Sequence, residues 1–245
     1  MPSADERSTA MTMVLYELGA PGDLRYSQFS WRARMALALK GTDVEFRPVA
    51  VSDKAAIAFS GQDKVPIFVD GDRVVSDSWA IAEYLEAAMP DAPSLFGGET
   101  AMALARFVAH WVDRQVVPEL APLVVVDVVT CVEANDAAHL RSQFERAFRK
   151  PLEELADERS RRVVSFRRTL GPARAALRQA PFLSGEQPGY ADFALFSAFQ
   201  WARLVSTFEP LEEDDIVAGW RETMLDLFDG FARAHPSRRE RESGG

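Results

Sequence analysis

The spacing of apolar residues changes partway along the chain, and the change predicts two kinds of domain. Met13–Leu18 is a short β-rich run, and Val44–Val51 alternates apolar with polar residues, so both predict strands. Ser27–Lys40 places apolar residues on one helical stripe and begins with Ser27, a favoured N-cap residue. We therefore expect one α/β unit over residues 13–89.

A proline-containing strand followed by a helix is the most distinctive feature of this unit. Lys64–Asp70 has the pattern of a strand, but Pro66 lacks the N–H that a sheet ladder uses, which confines it to an edge, a bulge or a strand start. The bond between Val65 and Pro66 is also one that can be cis. After a hairpin, Ser78–Ala88 predicts a helix whose N-terminus carries the Asp77 carboxylate and free backbone N–H groups.

The remainder of the chain has helical periodicity. Residues 90–99 are rich in proline and glycine and predict a linker, and residues 100–236 predict an all-helical domain. Ala191–Ser206 is apolar on nearly every side, which indicates a buried central helix. Leu123–Val132 is β-branched enough to pass for a strand, but in a helical domain we expect it to continue a helix or form a buried connector.

Composition excludes several classes of function. The formal net charge of -9 disfavours nucleic acid and acidic membrane surfaces as partners. No apolar run is long enough to span a membrane or to form the core of a signal peptide, so we expect a cytoplasmic protein. A single cysteine, Cys131, excludes an internal disulfide, and the three histidines lack ligand spacing, so no metal is expected. The polar ends, residues 1–12 and 237–245, predict disordered tails.

Three motifs occur in an order that is typical of one enzyme superfamily. They are the Val65–Pro66 strand, the Asp77–Ser78 helix start, and Gly185–Leu195, in which Asp192 is placed to accept hydrogen bonds from the turn before the buried helix. In these motifs the chain resembles the glutathione transferases. The resemblance implies a thioredoxin-like α/β N-terminal domain, an all-α helical-bundle C-terminal domain, glutathione as co-substrate and a homodimer.

A narrower resemblance is to the bacterial β-etherases and their fungal relatives. It rests on Ser27–Leu37, Asp77–Leu85, the long helical segment Phe144–Leu177 and the terminal Asp226–Gly230. Enzymes of that group attack a lignin-type β-aryl ether with the glutathione thiolate and expel a phenolate. Gln28 stands where the group usually has proline, a residue favoured at the first position of a helix, so we expect a less rigid loop there.

The resemblance also implies roles for residues of this chain. Ser27 is the candidate hydrogen-bond donor to the thiolate, although helix capping alone would also explain it. Ser30, one turn further, is the fallback, and Tyr16 is a third candidate whose place in a strand argues for sheet packing instead. Asp77 and Ser78 would hold the ammonium and the carboxylate of the γ-glutamyl end.

The remaining candidates surround the rest of glutathione and the electrophile. Val65 would pair its backbone with the cysteinyl portion beside Pro66, and Lys64 or Lys54 would hold the glycyl carboxylate. The electrophile is expected between the Gly19–Tyr26 loop and the second domain. The candidate contacts there are Phe29, Trp31, Phe107, His110, Trp111, Gln115 and Trp201.

The sequence leaves three functions open. The first is glutathione-dependent cleavage of β-aryl ethers in lignin-type aromatic ketones. The second is general conjugation of electrophiles such as haloarenes or epoxides. The third is a non-catalytic protein that binds glutathione or an aromatic ligand, and the intact Val65–Pro66 and Asp77–Ser78 motifs disfavour it because a scaffold has no physical need for them.

Overall fold

The computed structural model describes residues 13–244, so the tail predicted at residues 1–12 lies outside the described part of the chain, as does Gly245. The strands and helices follow the order expected for an α/β unit and then a helical one. They are β1 Met13–Leu18, α1 Gln28–Lys40, β2 Val44–Val49, β3 Ile67–Asp70, β4 Arg73–Ser76, α2 Ser78–Ala88, α3 Glu99–Trp111, α4 Val117–Val128, α5 Ala134–Phe148, α6 Leu152–Asp157, α7 Arg159–Thr169, α8 Gly171–Leu177, α9 Tyr190–Val205, α10 Ile216–Gly230 and α11 Arg238–Ser243.

The first domain is a four-stranded mixed sheet in the order β2-β1-β3-β4. β1 pairs in parallel with β2, while β3 runs antiparallel to both β1 and β4. Leu15 and Phe68 are fully buried in the main core, on the face of the sheet that α1 and α2 cover. Ile57 and Ile67 form a smaller cluster on the other face. This arrangement confirms the predicted thioredoxin-like unit, and the Val65–Pro66 bond is cis.

The start of α1 forms with Gln28 at its first position and without a proline. Ser27 caps the helix by accepting a hydrogen bond from the Ser30 backbone N–H at 3.2 Å, and Gln28 is the first helical residue. Gly41 ends the helix in the left-handed region, with φ of 66°, where glycine has no steric penalty. Ser27 therefore caps the N-terminus of α1, although proline is absent there.

The second domain packs around α9, as its apolar pattern predicts. Asp192, fully buried in the first turn, accepts hydrogen bonds from the backbone N–H groups of Leu183, Ser184 and Gly189 at 2.7, 3.0 and 3.2 Å. It also accepts from Trp220 Nε1 at 3.1 Å. A carboxylate with this many donors is costly to remove, because each buried N–H would lose its acceptor.

The helical pattern of the second domain is confirmed, with one interruption. The β-branched segment is helical, since α4 runs to Val128. The interruption separates α5 from α6, because Arg149 adopts φ of 55° and Pro151 follows it. Within residues 13–244, none of the helices combines the length and the apolar character that crossing a membrane demands.

The predicted disordered tail at residues 237–244 is wrong, because this segment forms α11. Ser237 and Glu240 make a reciprocal capping box at its start. Arg238 then donates to the backbone oxygens of Val205 and Asp127 at 2.9 and 3.1 Å, which ties the helix to the ends of α9 and α4. The polar composition that suggests disorder instead supplies these anchoring hydrogen bonds.

A buried arginine joins β1, α1 and the C-terminal segment. Arg34 pairs with the fully buried Glu17 at 2.5 Å, and its guanidinium lies 4.1 Å from the centre of the Phe46 ring and 5.0 Å from that of Phe231. Arg34 Nη2 also donates to Nε2 of His235 at 2.8 Å. Because the guanidinium has only donors, His235 must accept and therefore be neutral in this arrangement.

This contact predicts a pH-dependent stability. Burial, with the nearby Arg34 charge, lowers the pKa of His235 from 6.5 to about 4. Between these values the unfolded chain binds more protons at this histidine than the folded chain does, so its stabilising contribution is complete above pH 6.5 and is lost as the pH falls towards 4. His235→Gln keeps an acceptor for Arg34 but does not titrate. We expect wild type to lose more stability than this variant over that interval, measured by urea unfolding at a series of pH values.

His110→Gln is the control for this experiment, because His110 lies on an exposed surface of α3. That variant should follow the wild-type pH dependence. Parallel pH profiles for wild type and His235→Gln would contradict the assignment.

Candidate functional site

Two cavities meet at Phe29, which lines both of them. The first, of about 380 Å³, contains the start of α1, the end of β2 and the residues before β3. It is lined by Leu18, Ser27, Phe29, Val49, Ala50, Val51, Lys54, Ile57, Asp63, Lys64, Val65, His139, Leu140 and Gln143. The second, of about 320 Å³, contains the start of α2 and is lined by Phe29, Arg32, Asp77, Ser78, Trp79, Arg106, Ala109, His110, Asp113 and Tyr190. The two cavities share Phe29 at the junction of the two domains, and we refer to them together as the cleft.

The three candidates for the thiolate donor have different positions. Ser27 is in the first cavity, and because its oxygen accepts from the Ser30 N–H, its own O–H remains able to donate. Ser30 is 1% exposed and lies outside both linings. Tyr16 packs against Phe59 at 5.1 Å between ring centres and accepts from Arg47 at 2.8 Å. Ser27 is therefore the candidate whose hydroxyl has access to a ligand.

The residues around the cis-proline bond face the same space as Ser27. Val65 and Lys64 line the first cavity, while the buried Pro66 accepts from the Asp77 N–H at 3.3 Å and so connects the strand to the start of α2. Lys54 also lines this cavity, where its Nζ donates to the backbone oxygen of Asp63 at 2.6 Å. Two ammonium groups therefore lie at the Val65 end of the cleft.

Asp77 and Ser78 occupy the second cavity at the N-terminus of α2. The Asp77 carboxylate caps the helix by accepting from Trp79 N and Ala80 N at 2.8 and 3.2 Å. Its backbone has φ of 83°, a conformation that an aspartate rarely adopts and that costs free energy. Ser78 follows as the first helical residue and is 2% exposed.

The second cavity also contains charged residues that the sequence analysis did not identify. Arg32 is 2% exposed and donates to both carboxylate oxygens of Asp113 at 3.2 and 2.5 Å. Arg106 lies over the Trp79 ring at 4.6 Å from its centre. With the Asp77 carboxylate, the cavity carries charges of both signs, which suits a ligand group that is itself zwitterionic.

Tyr190 adds a protonated hydroxyl to this wall. Burial raises the pKa of Tyr190 to about 12, although the nearby Arg32 charge opposes the shift. The phenol therefore stays protonated at neutral pH. The only signal for this residue in the sequence is its place beside the Asp192 cap, which indicates a buried helix start and gives no indication of a cavity.

The predicted contacts to the electrophile divide between cavity, surface and core. Phe29 and His110 line the cleft, and Phe107 and Gln115 are exposed outside it. Trp111 packs against the main core and lies outside both linings. Trp31 and Trp201 are 0% and 8% exposed, so the structure corrects the expectation that they contact a substrate.

Trp31 is in the core for a specific reason. Its Nε1–H donates to the Arg25 backbone oxygen at 2.6 Å, and its ring meets His235 edge-on at 5.1 Å. The indole therefore closes the junction between the β1–α1 loop and the C-terminal segment. A tryptophan at a helix start is compatible with either a pocket or a core, and the sequence alone does not distinguish them.

Comparisons with known proteins identify the family. A model of the glutathione S-transferase N-terminal domain matches residues 23–93, and a model of the glutathione S-transferase C-terminal domain matches residues 103–231. The chain belongs to the glutathione S-transferase family. The family's co-substrate is glutathione, so the predicted superfamily, fold class and co-substrate are confirmed.

Curated relatives of this glutathione S-transferase match it over part of their length. A probable maleylacetoacetate isomerase from Caenorhabditis elegans is 35% identical over 122 residues, which is 48% of this chain and 56% of that protein. Glutathione S-transferase U2 from Arabidopsis thaliana is 34% identical over 95 residues, or 38% of this chain and 42% of that protein. The chain thus spans about half the length of the curated relatives it matches.

Solved structures match over nearly the whole glutathione S-transferase chain. Glutathione transferase GSTFuA2 from Phanerochaete chrysosporium has a TM-score of 0.75 at 24% identity, covering 91% of this chain and 98% of that one. CsGST63524 from Ceriporiopsis subvermispora, solved in complex with glutathione, has a TM-score of 0.72 at 22% identity, covering 91% and 94%. These likenesses establish the shared fold.

The position of Ser78 predicts a loss that depends on the γ-glutamyl group. We expect Ser78→Ala to weaken glutathione binding by about 10-fold or more, since a hydrogen bond to a charged carboxylate would be lost. The dipeptide Cys-Gly lacks the γ-glutamyl group and should bind wild type and variant equally. Isothermal titration with both ligands measures the difference.

Ser76→Ala is the matched control, because Ser76 ends β4 and lies outside both linings. It should bind both ligands as wild type does. Equal weakening of glutathione and Cys-Gly by Ser78→Ala would show that the serine only stabilises the start of α2.

Proposed function

We propose that this protein is a glutathione transferase that uses the glutathione thiolate to cleave β-aryl ethers of lignin-type aromatic ketones. One observation carries the proposal: Ser27, at the N-terminus of α1, shares a cavity with Val65, and Phe29 separates that cavity from a second one that contains Asp77 and Ser78. The cleft thus brings together a hydroxyl donor, an edge-strand backbone and a helix N-terminus.

An extended tripeptide fits this order of groups. The γ-glutamyl ammonium and carboxylate pair with Asp77 and Ser78, the cysteinyl backbone lies along Val65, and the glycyl carboxylate is within the reach of Lys54 or Lys64. This orientation directs the cysteinyl sulfur towards Ser27. The helix N-terminus adds a favourable field for a negative charge at that position.

The energy needed for activation is small. A free thiol has a pKa of about 8.5, so only a few per cent is thiolate at neutral pH. Lowering the pKa by about 1.5 units requires about 2 kcal/mol of thiolate stabilisation. A hydroxyl hydrogen bond to the thiolate together with the field at a helix N-terminus supplies a contribution of this size.

The chemical step is a displacement at the carbon that bears the ether. The thiolate sulfur forms a bond to this carbon, the carbon–oxygen bond breaks, and the phenolate departs with the bonding electron pair. The adjacent ketone makes the carbon more electrophilic. The assignment of this substrate rests on the similarity of Ser27–Leu37, Asp77–Leu85 and Asp226–Gly230 to the β-etherase group, and the apolar contribution of Leu18, Phe29 and Leu140 to the lining is compatible with an aromatic ligand.

A second candidate function is isomerisation. It is favoured by the 35% identity over 122 residues to a protein named a probable maleylacetoacetate isomerase. In that chemistry the thiolate would add to an unsaturated acid and leave again, so no glutathione conjugate accumulates. The relatives named glutathione S-transferase favour general conjugation in the same way.

The proposal includes a homodimer. Leu104 and Phe107 lie one turn apart on α3 and are 63% and 72% exposed, and Phe59 and Val74 add exposed apolar side chains in the first domain. Large apolar side chains exposed on one helix face are typical of an interaction surface. A second copy of this chain is the partner that the family resemblance implies.

The decisive measurement is phenol release from a racemic β-aryl ether ketone. We expect release that requires glutathione and stops at half conversion, because a chiral cleft accepts one enantiomer. A haloarene and a maleyl-type acid are assayed in parallel. Turnover of the haloarene alone would assign general conjugation, and isomerisation of the acid alone would assign the second candidate. Glutathione binding without any turnover would leave a binding protein.

Ser27→Ala tests the thiolate donor. We expect the pKa of enzyme-bound glutathione to rise by about 1 unit or more and kcat/KM to fall at least about 10-fold, since each unit corresponds to about 1.4 kcal/mol. Ultraviolet titration of the bound thiolate measures the pKa directly. Ser30→Ala is the matched control and should leave the titration unchanged. A raised pKa of bound glutathione in Ser30→Ala, with an unchanged pKa in Ser27→Ala, would assign the thiolate donor to Ser30.

A further inference from the structure

A helix of the second domain is anchored directly beside the proposed thiolate site. Asp136, in the first turn of α5, is 3% exposed and accepts from the backbone N–H groups of Val51 and Ser52. The distances are 3.0 Å to Oδ2 and 2.9 Å to Oδ1. Both carboxylate oxygens are therefore used to hold α5 against the loop that follows β2.

The anchor places one face of α5 in the first cavity. His139, Leu140 and Gln143 follow Asp136 at positions i+3, i+4 and i+7, which lie on the same side of a helix. All three line the cavity that contains Ser27. The first domain supplies the groups proposed to hold glutathione, so this face is available to the second substrate.

His139 and Gln143 form a pair with a defined polarity. Gln143 Nε2 lies 2.9 Å from His139 Nε2. An amide nitrogen only donates, so the imidazole Nε2 accepts and the ring proton is on Nδ1. Both side chains are exposed, and in this arrangement the neutral imidazole of His139 has its N–H donor at the nitrogen that does not contact Gln143.

We propose that His139 Nδ1–H donates a hydrogen bond to the leaving oxygen of the electrophile, and that Gln143 and Asp136 are positioning residues for it. The inference rests on the proposed function and adds a preference: the site favours electrophiles whose leaving atom is an oxygen. As sulfur bonds to carbon and the carbon–oxygen bond breaks, the electron pair moves to that oxygen. The hydrogen bond stabilises this charge, and the phenolate takes its proton from solvent.

The test compares two electrophiles that differ only in the leaving group. A phenacyl aryl ether and the corresponding phenacyl halide share the ketone and the carbon attacked, but only the ether has a leaving oxygen. We expect His139→Ala to lower kcat/KM for the ether by about 10- to 100-fold and for the halide by less than about 2-fold, the effect of one hydrogen bond to a developing charge. The loss should grow as the phenol becomes more basic.

Two further variants separate hydrogen bonding from packing. His139→Gln keeps an N–H donor and should recover most of the activity on the ether. Ser142→Ala, an exposed position of α5 outside the cavity lining, is the matched control and should behave as wild type with both substrates.

The outcomes distinguish this inference from the proposed function. If wild type turns over the halide but not the ether, the proposed ether cleavage fails and no role for His139 can follow. If wild type cleaves the ether and His139→Ala lowers both rates equally, or if His139→Gln rescues nothing, His139 is only part of the wall and the inference is overturned.

Discussion

The buried guanidinium of Arg32 determines how the two domains meet. It belongs to α1 of the first domain, yet its hydrogen bonds go to Ser197 of α9 at 3.2 Å and to both oxygens of Asp113 at 3.2 and 2.5 Å. A charge with 2% exposure must keep its partners, because removing one partner of such a pair typically costs about 3–5 kcal/mol. The pair therefore favours a single orientation of α1 relative to the helical domain.

The position of the cleft follows from that orientation. Asp113 lies in a short π-helical turn, Val112–Val116, between α3 and α4, and such turns often occur at functional sites. Ser27 and Phe29 precede Arg32 at the start of α1. Because Arg32 attaches the second turn of this helix to the helical domain, both residues lie at the domain junction. On the other side, Asp136 attaches α5 to the loop after β2. The cleft thus lies between two polar attachments that join the domains.

The sequence predicts the parts of the site that depend on local structure. A proline at a strand start, a helix N-cap such as Ser27 and an acidic residue before a helix are local signals, because neighbouring residues satisfy or restrict the backbone there. The anchoring role of Asp192 was predictable for the same reason. These motifs also carry the family resemblance. The resemblance predicts that the motifs form one site, which the periodicity of apolar residues does not show.

Side chains whose surroundings depend on helix packing were not predictable in the same way. Trp31, Trp111 and Trp201 have the helical spacing of either a core or a pocket, and only the packing of α1 and α3 against α9 decides between these. The sequence gives no sign that His139 lines a cavity, because nothing in its neighbourhood indicates that Asp136 reaches a loop 84 residues away. Long-range polar contacts of this kind leave no periodic signal.

The two proposed substrates contact different kinds of groups, and this difference has a consequence for specificity. In the proposed binding mode, backbone groups and a helix start of the first domain hold glutathione, so we expect substitutions of exposed side chains there to change its affinity only at Ser78, Asp77 or the lysines. The lining available to the proposed second substrate consists instead of side chains, chiefly Phe29 from α1 and Leu140 and His139 from α5. A substitution replaces a side chain without altering the fold, whereas it leaves the backbone hydrogen-bonding groups as they are. We therefore expect selection among electrophiles to be concentrated on the face of α5 that Asp136 holds, and the role proposed for His139 makes residue 139 the position that sets the preferred leaving group.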